Sequence, residues 1–241
     1  MSAELIRLSK RMADLGLCSR READELIEMG RVTVDGVVVD QLGSRVNVTQ
    51  KVAVTTSRLF KQPDRVTLVL NKPQAYAAWP EAEGGSCLDL LTSEQRDTQD
   101  KTGYVLLKKH LPHLQIPCGL DSAASGMLVL TQDTRLARAL ATEHEQEYLL
   151  WFAGELTADA LKMINSRTKF DGEVLKPYKI TRQSDTQLRV VLRAARPDFL
   201  PALCELAEIQ MQSCKRIRIG RIALAGLPEG AWRFINANER F

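Results

Sequence analysis

Asp121 lies in PCGLDSAASGMLVLT, residues 117–131, where a proline-containing segment passes through a tight loop into an apolar run. A carboxylate on such a loop is held rigidly. The Ser125-Gly126 pair after it lets the backbone pass close to a ligand. That placement suits a nucleophile or a group that stabilises a developing cation. It also suits a structural loop with an aspartate turn, and taken alone the residues favour the plainer reading. The other reactive side chains offer less. His110 and His113 are spaced as a helical metal pair could be, but Pro112 between them speaks against a regular helix. The five cysteines (Cys18, Cys87, Cys118, Cys204 and Cys214) are far apart, odd in number and never in a C-x-x-C pair. They read as reduced, buried thiols, with no metal site and no disulfide framework. No glycine-rich phosphate loop is present and no cofactor is expected.

Basic residues cluster near the N-terminus. Arg7, Lys10 and Arg11 fall within about one helical turn, Arg20 and Arg21 open a second helix, and Arg31 follows it. Such a patch can neutralise RNA phosphates and release counterions. Asp14, Glu22, Asp24, Glu25 and Glu28 stand nearby, so a solvated helix face explains the composition equally well. The formal net charge of +3 is too small to decide the matter.

The elements that must position these groups can be read from periodicity. Hydrophobic residues at 44% and charged residues at 26% of 241 describe an ordinary globular chain, with room for a small module and a medium domain. No apolar run approaches the roughly 20 residues that span a bilayer, and the first residues lack a signal peptide's apolar core. A cytoplasmic protein is expected. Residues 5–29 predict two helices. Ile6, Leu8, Met12 and Leu15 mark the first, with Gly16 as its stop. Ser19 and Glu22 form a capping box on the second, which ends at Gly30. RVTVDGVVV predicts a hairpin turning at Asp35-Gly36, and a further strand is expected near Lys51 to Thr55. From residue 66 onward, VTLVLNKP, GMLVLT, EYLLWFAGEL and QLRVVLRA predict strands. DTRLARALATE, TADALKMIN and PALCELAEIQM predict helices, the last opened by Pro201. RIRIGRIALAGL and GAWRFI close the chain. The irregular alternation favours an α+β fold with a mixed, mostly antiparallel sheet flanked by helices. The expected division is 1–56, a linker at 57–65, and 66–241.

The run RLSKRMADLGLCSRREADELIEMGRVTVDG closely resembles the S-four-type RNA-binding module, named for a ribosomal protein of the small subunit. The resemblance covers about the first 50 residues and implies that Arg7, Lys10, Arg11, Ser19, Arg20 and Arg21 face RNA. That family reads shape and backbone, as suits folded RNA. Nearly the whole chain is similar to pseudouridine synthases of the RsuA/RluB/RluE/RluF family. The matching stretches are LNKP at 70–73, Gly119-Leu120-Asp121 with Ser125-Gly126 and its strand, Gln146-Glu147-Tyr148, and the closing RIRIGRIALAGLPEGAWRFI. The resemblance implies that Asp121 is the catalytic aspartate and Tyr148 the active-site tyrosine. Such an enzyme isomerises uridine to pseudouridine without cofactor or metal. The implied substrate is structured RNA, ribosomal RNA first and transfer RNA second, and a monomer is expected. The chain departs from the family at three positions. Gly119 replaces an arginine, Gln146 replaces a lysine, and Pro201 falls where the basic partner of the aspartate stands. Arg189, Arg193 and Arg196 are the candidates to replace that partner. The alternative is a catalytically impaired relative that acts as an RNA-binding or ribosome-assembly factor.

If the N-terminal module grips RNA phosphates, Arg20→Ala with Arg21→Ala weakens binding and flattens its salt dependence. Each lost contact removes about 0.7 to 0.9 from the slope of log affinity against log salt. Binding titrations at several salt concentrations check this, and an unchanged slope counts against that face.

Overall fold

The computed structural model describes residues 5–55, 65–78, 85–196 and 198–241. The chain divides into two compact units: Met1–Val66 with Lys101–Leu114, and Thr67–Asp100 with Gln115–Phe241.

The first unit starts with a short strand, β1 (Leu5–Arg7), followed by α1 (Leu8–Asp14) and α2 (Arg20–Glu28). Strands β2 (Val32–Val34), β3 (Val37–Val39), β4 (Arg45–Asn47) and β5 (Val52–Val54) complete it. The capping box on α2 is present: the Glu22 amide donates to Ser19 Oγ, and the Ser19 amide donates to the Glu22 carboxylate. Asp35 and Gly36 both have positive φ, at 50° and 85°, as a tight two-residue hairpin turn requires. The first expected helix is shorter than its apolar spacing suggests. Ile6 pairs instead with Val46 in a two-stranded ribbon of β1 and β4, and Leu15 is exposed. Pairing with a distant strand outweighed local periodicity there. Leu8, Met12, Ala23, Ile27 and Val32 form the buried core.

Leu107 joins that core, with Val105 packed against it, and Arg31 donates to the Gly103 carbonyl at 3.1 Å. Residues 101–114 therefore belong to the N-terminal unit, whereas the sequence reading placed all of 66–241 in one domain. The reason is long-range packing by a stretch that carries no strand or helix pattern of its own. The expected linker, Arg65 apart, lies outside the described residues.

In the second unit come β6 (Thr67–Lys72), the two-residue strands β7 (Tyr76–Ala77) and β8 (Gly85–Ser86), β9 (Ala124–Thr131), α3 (Thr134–Thr142) and β10 (Glu145–Ala153). They are followed by α4 (Ala158–Asn165), β11 (Lys169–Phe170), β12 (Glu173–Val174), β13 (Lys179–Ser184) and β14 (Gln187–Arg193). The chain closes with α5 (Phe199–Leu206), β15 (Gln210–Ile219), β16 (Ile222–Ala223) and β17 (Trp232–Phe234). The main sheet has the order β13-β14-β10-β15-β9-β6-β17, with β16 paired to β15. Its described pairings are antiparallel except β15 with β9. The mixed, mostly antiparallel α+β architecture is thus present. Tyr148, Leu150 and Phe152 alternate along β10 into one core cluster, which α4 and α5 cover with Ile164, Phe199 and Leu203. A second cluster joins Val69, Met127, Val129 and Leu140 of α3.

Two details differ from expectation. Helix α5 begins at Phe199, so Pro201 is its third residue rather than its first. Proline is tolerated there because the first-turn amides have no partner within the helix. The stretch QMQSC, assigned partly to that helix by pattern, opens β15 instead.

Leu107→Ala removes a core side chain that is 5% exposed. It is expected to destabilise the N-terminal unit by about 2 to 5 kcal/mol. Hydrogen exchange of the α1 and α2 amides reads this, and unchanged protection there would show that residues 101–114 contribute nothing to the unit.

Candidate active site

Five positions form a row across the main sheet. Lys72 of β6 stands opposite Gly126 of β9, Gly126 opposite Arg216 of β15, Arg216 opposite Tyr148 of β10, and Tyr148 opposite Val190 of β14. Directly opposed residues project to the same side of a sheet. Lys72 and Arg216 are each 0% exposed, and Tyr148 is 4% exposed. Gly126 has φ +104°, and a Cβ there would lie 2.2 Å from the Arg216 carbonyl oxygen. The sequence reading expected this glycine to give a ligand room. What it admits is the backbone of β15.

The Arg216 guanidinium is spent on neutral partners. It donates to the carbonyls of Met127 at 2.7 Å, Cys118 at 2.6 Å and Gly119 at 3.4 Å, to Gln146 Oε1 at 3.0 Å, and to the Tyr148 hydroxyl at 3.2 Å. It thereby fixes the approach to the aspartate loop. The Tyr148 hydroxyl in turn donates to Gln146 Oε1 at 2.7 Å, and Gln146 Nε2 donates to Cys118 Sγ at 3.3 Å. Burial raises the Tyr148 phenol above its ordinary value, with the nearby Arg216 acting in the opposite sense.

Asp121 is exposed at the start of a turn, where the Ala124 amide donates to its own carbonyl at 3.1 Å. Two bonds tie that turn to the segment after β6. The Ala75 amide donates to the Ser122 carbonyl at 2.8 Å, and Gln74 Nε2 donates to the Ala123 carbonyl at 3.1 Å. Ala75 has φ +69°, a costly conformation for a residue with a Cβ. Asp121, Tyr148, Arg196, Pro201 and Cys214 all line one cavity of about 350 Å³. Cavities of roughly 300 to 1,000 Å³ hold small ligands.

Among the described residues, Asp121 makes no ion pair, and the three candidate arginines are engaged elsewhere. Arg189 binds Glu147 at 2.6 Å and Arg193 binds Glu145 at 3.1 Å. Arg196 binds Asp171 at 3.3 Å, Glu173 at 3.2 Å and Asp198 at 3.4 Å, and stacks over Phe170. Of the three, only Arg196 lines the cavity. The structure adds Arg216 and Lys72, which the sequence reading did not single out. The available signal was a charged residue inside each of two apolar strand patterns, VTLVLNKP and RIRIG.

In the first unit, Arg7, Lys10, Ser19, Arg20 and Arg21 are exposed. Arg21 lies 3.7 Å from Glu25. Arg11 is half-buried and donates to the Val48 carbonyl at 2.6 Å, so it braces the β4–β5 corner.

Residues 6–52 match the S4 domain family. Over 242 residues the chain is 29% identical to an RNA pseudouridine synthase of Aquifex aeolicus that is described as uncharacterized, covering 97% of this chain and 92% of that one. Over 240 residues it is 27% identical to the dual-specificity RNA pseudouridine synthase RluF of Salmonella typhi, covering 97% and 76%. A solved structure titled as that of a pseudouridylate synthase superposes with a TM-score of 0.59 at 17% identity, covering 96% of each chain, and so has the same fold.

The other face of β10 yields a prediction. Glu147, with a side chain 8% exposed, sits between Arg189 and Arg218, each at 2.6 Å. The hydrogen bond from Arg189, and after it that from Arg218, hold its carboxyl below the ordinary 4.5 against the opposing effect of burial. A depressed folded value means that this stabilisation is complete above about pH 4.5 and is lost as the pH falls through the folded value. Glu147→Gln is expected to cost roughly 1 to 3 kcal/mol at pH 7. The deficit should shrink as the pH drops from 5 to 3, in thermal melts of both proteins. A deficit constant over that range would remove the ionic explanation.

Proposed function

From its kinship along nearly the whole chain with RNA pseudouridine synthases, and with an S4 domain in front, we propose that this protein isomerises uridine to pseudouridine in structured RNA. The observation that carries the reading is the convergence of Asp121 and Tyr148 on one cavity. Isomerisation breaks the bond between the sugar and ring nitrogen 1, turns the uracil, and rejoins it through carbon 5, which loses its proton. Asp121 acts as the nucleophile or as the stabiliser of the sugar cation. Tyr148 presents its ring to the cavity, where a flipped-out base can stack. Its hydroxyl is held by Gln146 and Arg216, so the ring rather than the hydroxyl is offered to the base.

The exposed Arg7, Lys10, Ser19, Arg20 and Arg21 supply phosphate contacts. Arg11 contributes by supporting their frame. Ribosomal RNA is the first target to test and transfer RNA the second, with the protein acting as a cytoplasmic monomer. One observation favours a second reading, a catalytically silent RNA-binding or assembly factor. Asp121 lacks an ion-pair partner among the described residues, and Arg189, Arg193 and Arg196 all serve other carboxylates.

Asp121→Asn separates the two. Tritium release from RNA labelled at carbon 5 of uridine measures turnover, and RNA affinity is measured beside it. An active synthase loses release to background in the variant, while affinity stays within about threefold, because binding rests on phosphate contacts made elsewhere. Equal activity in both proteins sinks the catalytic assignment of Asp121. Equal inactivity on ribosomal and transfer RNA favours the binding factor.

A further inference from the structure

We propose that Lys72 is the positioning residue for Asp121, supplying from the sheet a positive charge that Arg189, Arg193 and Arg196 do not bring to it. The inference rests on the synthase reading above. Lys72 ends β6 and is 0% exposed. Its ammonium has three donors. Two bond carbonyls of the segment that follows: Pro73 at 3.0 Å and Tyr76 at 2.7 Å. The third has no acceptor among the described residues. Asp121 lies near enough to act on this ammonium by its charge.

The same segment is bolted to the aspartate turn. Ala75 and Gln74 donate to the carbonyls of Ser122 and Ala123, the two residues that follow Asp121. Lys72 therefore reaches Asp121 by two routes: through its field, and through the 73–76 loop that it caps. A buried ammonium with no ion pair of its own is costly, and a nearby carboxylate offsets part of that cost. Gly126, opposite Lys72, has no side chain, and the backbone of β15 at Arg216 closes over it.

Burial lowers the Lys72 amine from 10.5 to about 8. Asp121 acts against that shift, and Arg216 adds to it. Burial pushes the Cys87 thiol up to about 11, so it is still protonated when Lys72 titrates. Below about pH 8 the lysine is charged and supports Asp121, and above it the support is lost.

Two measurements test the proposal. Side-chain NMR of labelled lysine follows the titration of Lys72 in the wild type and in Asp121→Asn, and it needs no turnover. The wild-type midpoint is expected near 8. Removing the opposing carboxylate should lower it by roughly half a unit or more. Kinetics of tritium release in Lys72→Met should show kcat reduced by about tenfold or more with KM for the RNA little changed, as loss of a transition-state contribution requires. The wild type should lose activity as the pH rises through about 8, and the variant should lack that limb. A Lys72 midpoint unmoved by Asp121→Asn overturns the proposal even if the enzyme is active. So does a Lys72→Met protein with wild-type kcat, or one that keeps the alkaline limb. A coupled titration in a protein that turns over no RNA overturns the proposed function and the catalytic half of this inference together.

Discussion

The close approach of β9 to β15 at Gly126 is the constraint on which the second unit depends. The parallel pairing brings Ala124, Ser125 and Gly126 against Cys214, Lys215 and Arg216. With the Arg216 carbonyl 2.2 Å from where a Cβ would stand, a side chain at 126 forces these strands apart. Everything that defines the cavity hangs on that contact. It holds Arg216, which pairs across β10 with Tyr148, where its guanidinium reaches the carbonyls of Cys118 and Gly119 and so fixes the descent of the chain into the Asp121 turn. The arginine is buried without a carboxylate yet is not an orphan, because three carbonyls, an amide oxygen and a phenol share its charge.

Strand alternation explains why the arginines of β14 do not serve the cavity. Leu188, Val190 and Leu192 are buried in the core cluster with Tyr148. Arg189 and Arg193 therefore project from the opposite face, where Glu147 and Glu145 of β10 meet them. Period two along QLRVVLRA by itself turns both away from the face that carries Tyr148. Arg196 follows the strand and escapes this rule. It lines the cavity, but three carboxylates and the Phe170 ring hold its guanidinium.

What was legible in the sequence was local or carried by motif. The Ser19–Glu22 capping box and the Asp35-Gly36 turn depend on neighbours a few residues away, and the strands beginning at Thr67 and Glu145 announce themselves by a local apolar pattern. Asp121 and Tyr148 were found by resemblance, and the fold brings them to one cavity. What escaped was set by distant contacts. Residues 101–114 carry no periodic pattern, and their place in the N-terminal unit is decided by Leu107 packing into a core built from residues 8–46. Ile6 is drawn out of a helix by Val46. Lys72 and Arg216 are 144 positions apart in sequence numbering, yet the register aligns them through Gly126. No window of neighbours reports such a row.

The wall formed by α5 sharpens the electrostatic question. Pro201 takes an early helical position that needs no amide hydrogen, and Leu200 beside it lines the same cavity. Leu200 and Pro201 make this side of the cavity apolar. An apolar wall excludes water and strengthens any charge that remains, because the local dielectric falls. Lys72 on the sheet side is fully buried, whereas Asp121 itself is exposed, so solvent at the aspartate screens the pair. Burial makes the same cation expensive to keep charged, which is why the Lys72 amine titrates so far below a solvated lysine. The fold thus sets a cation cut off from water below a carboxylate that is not.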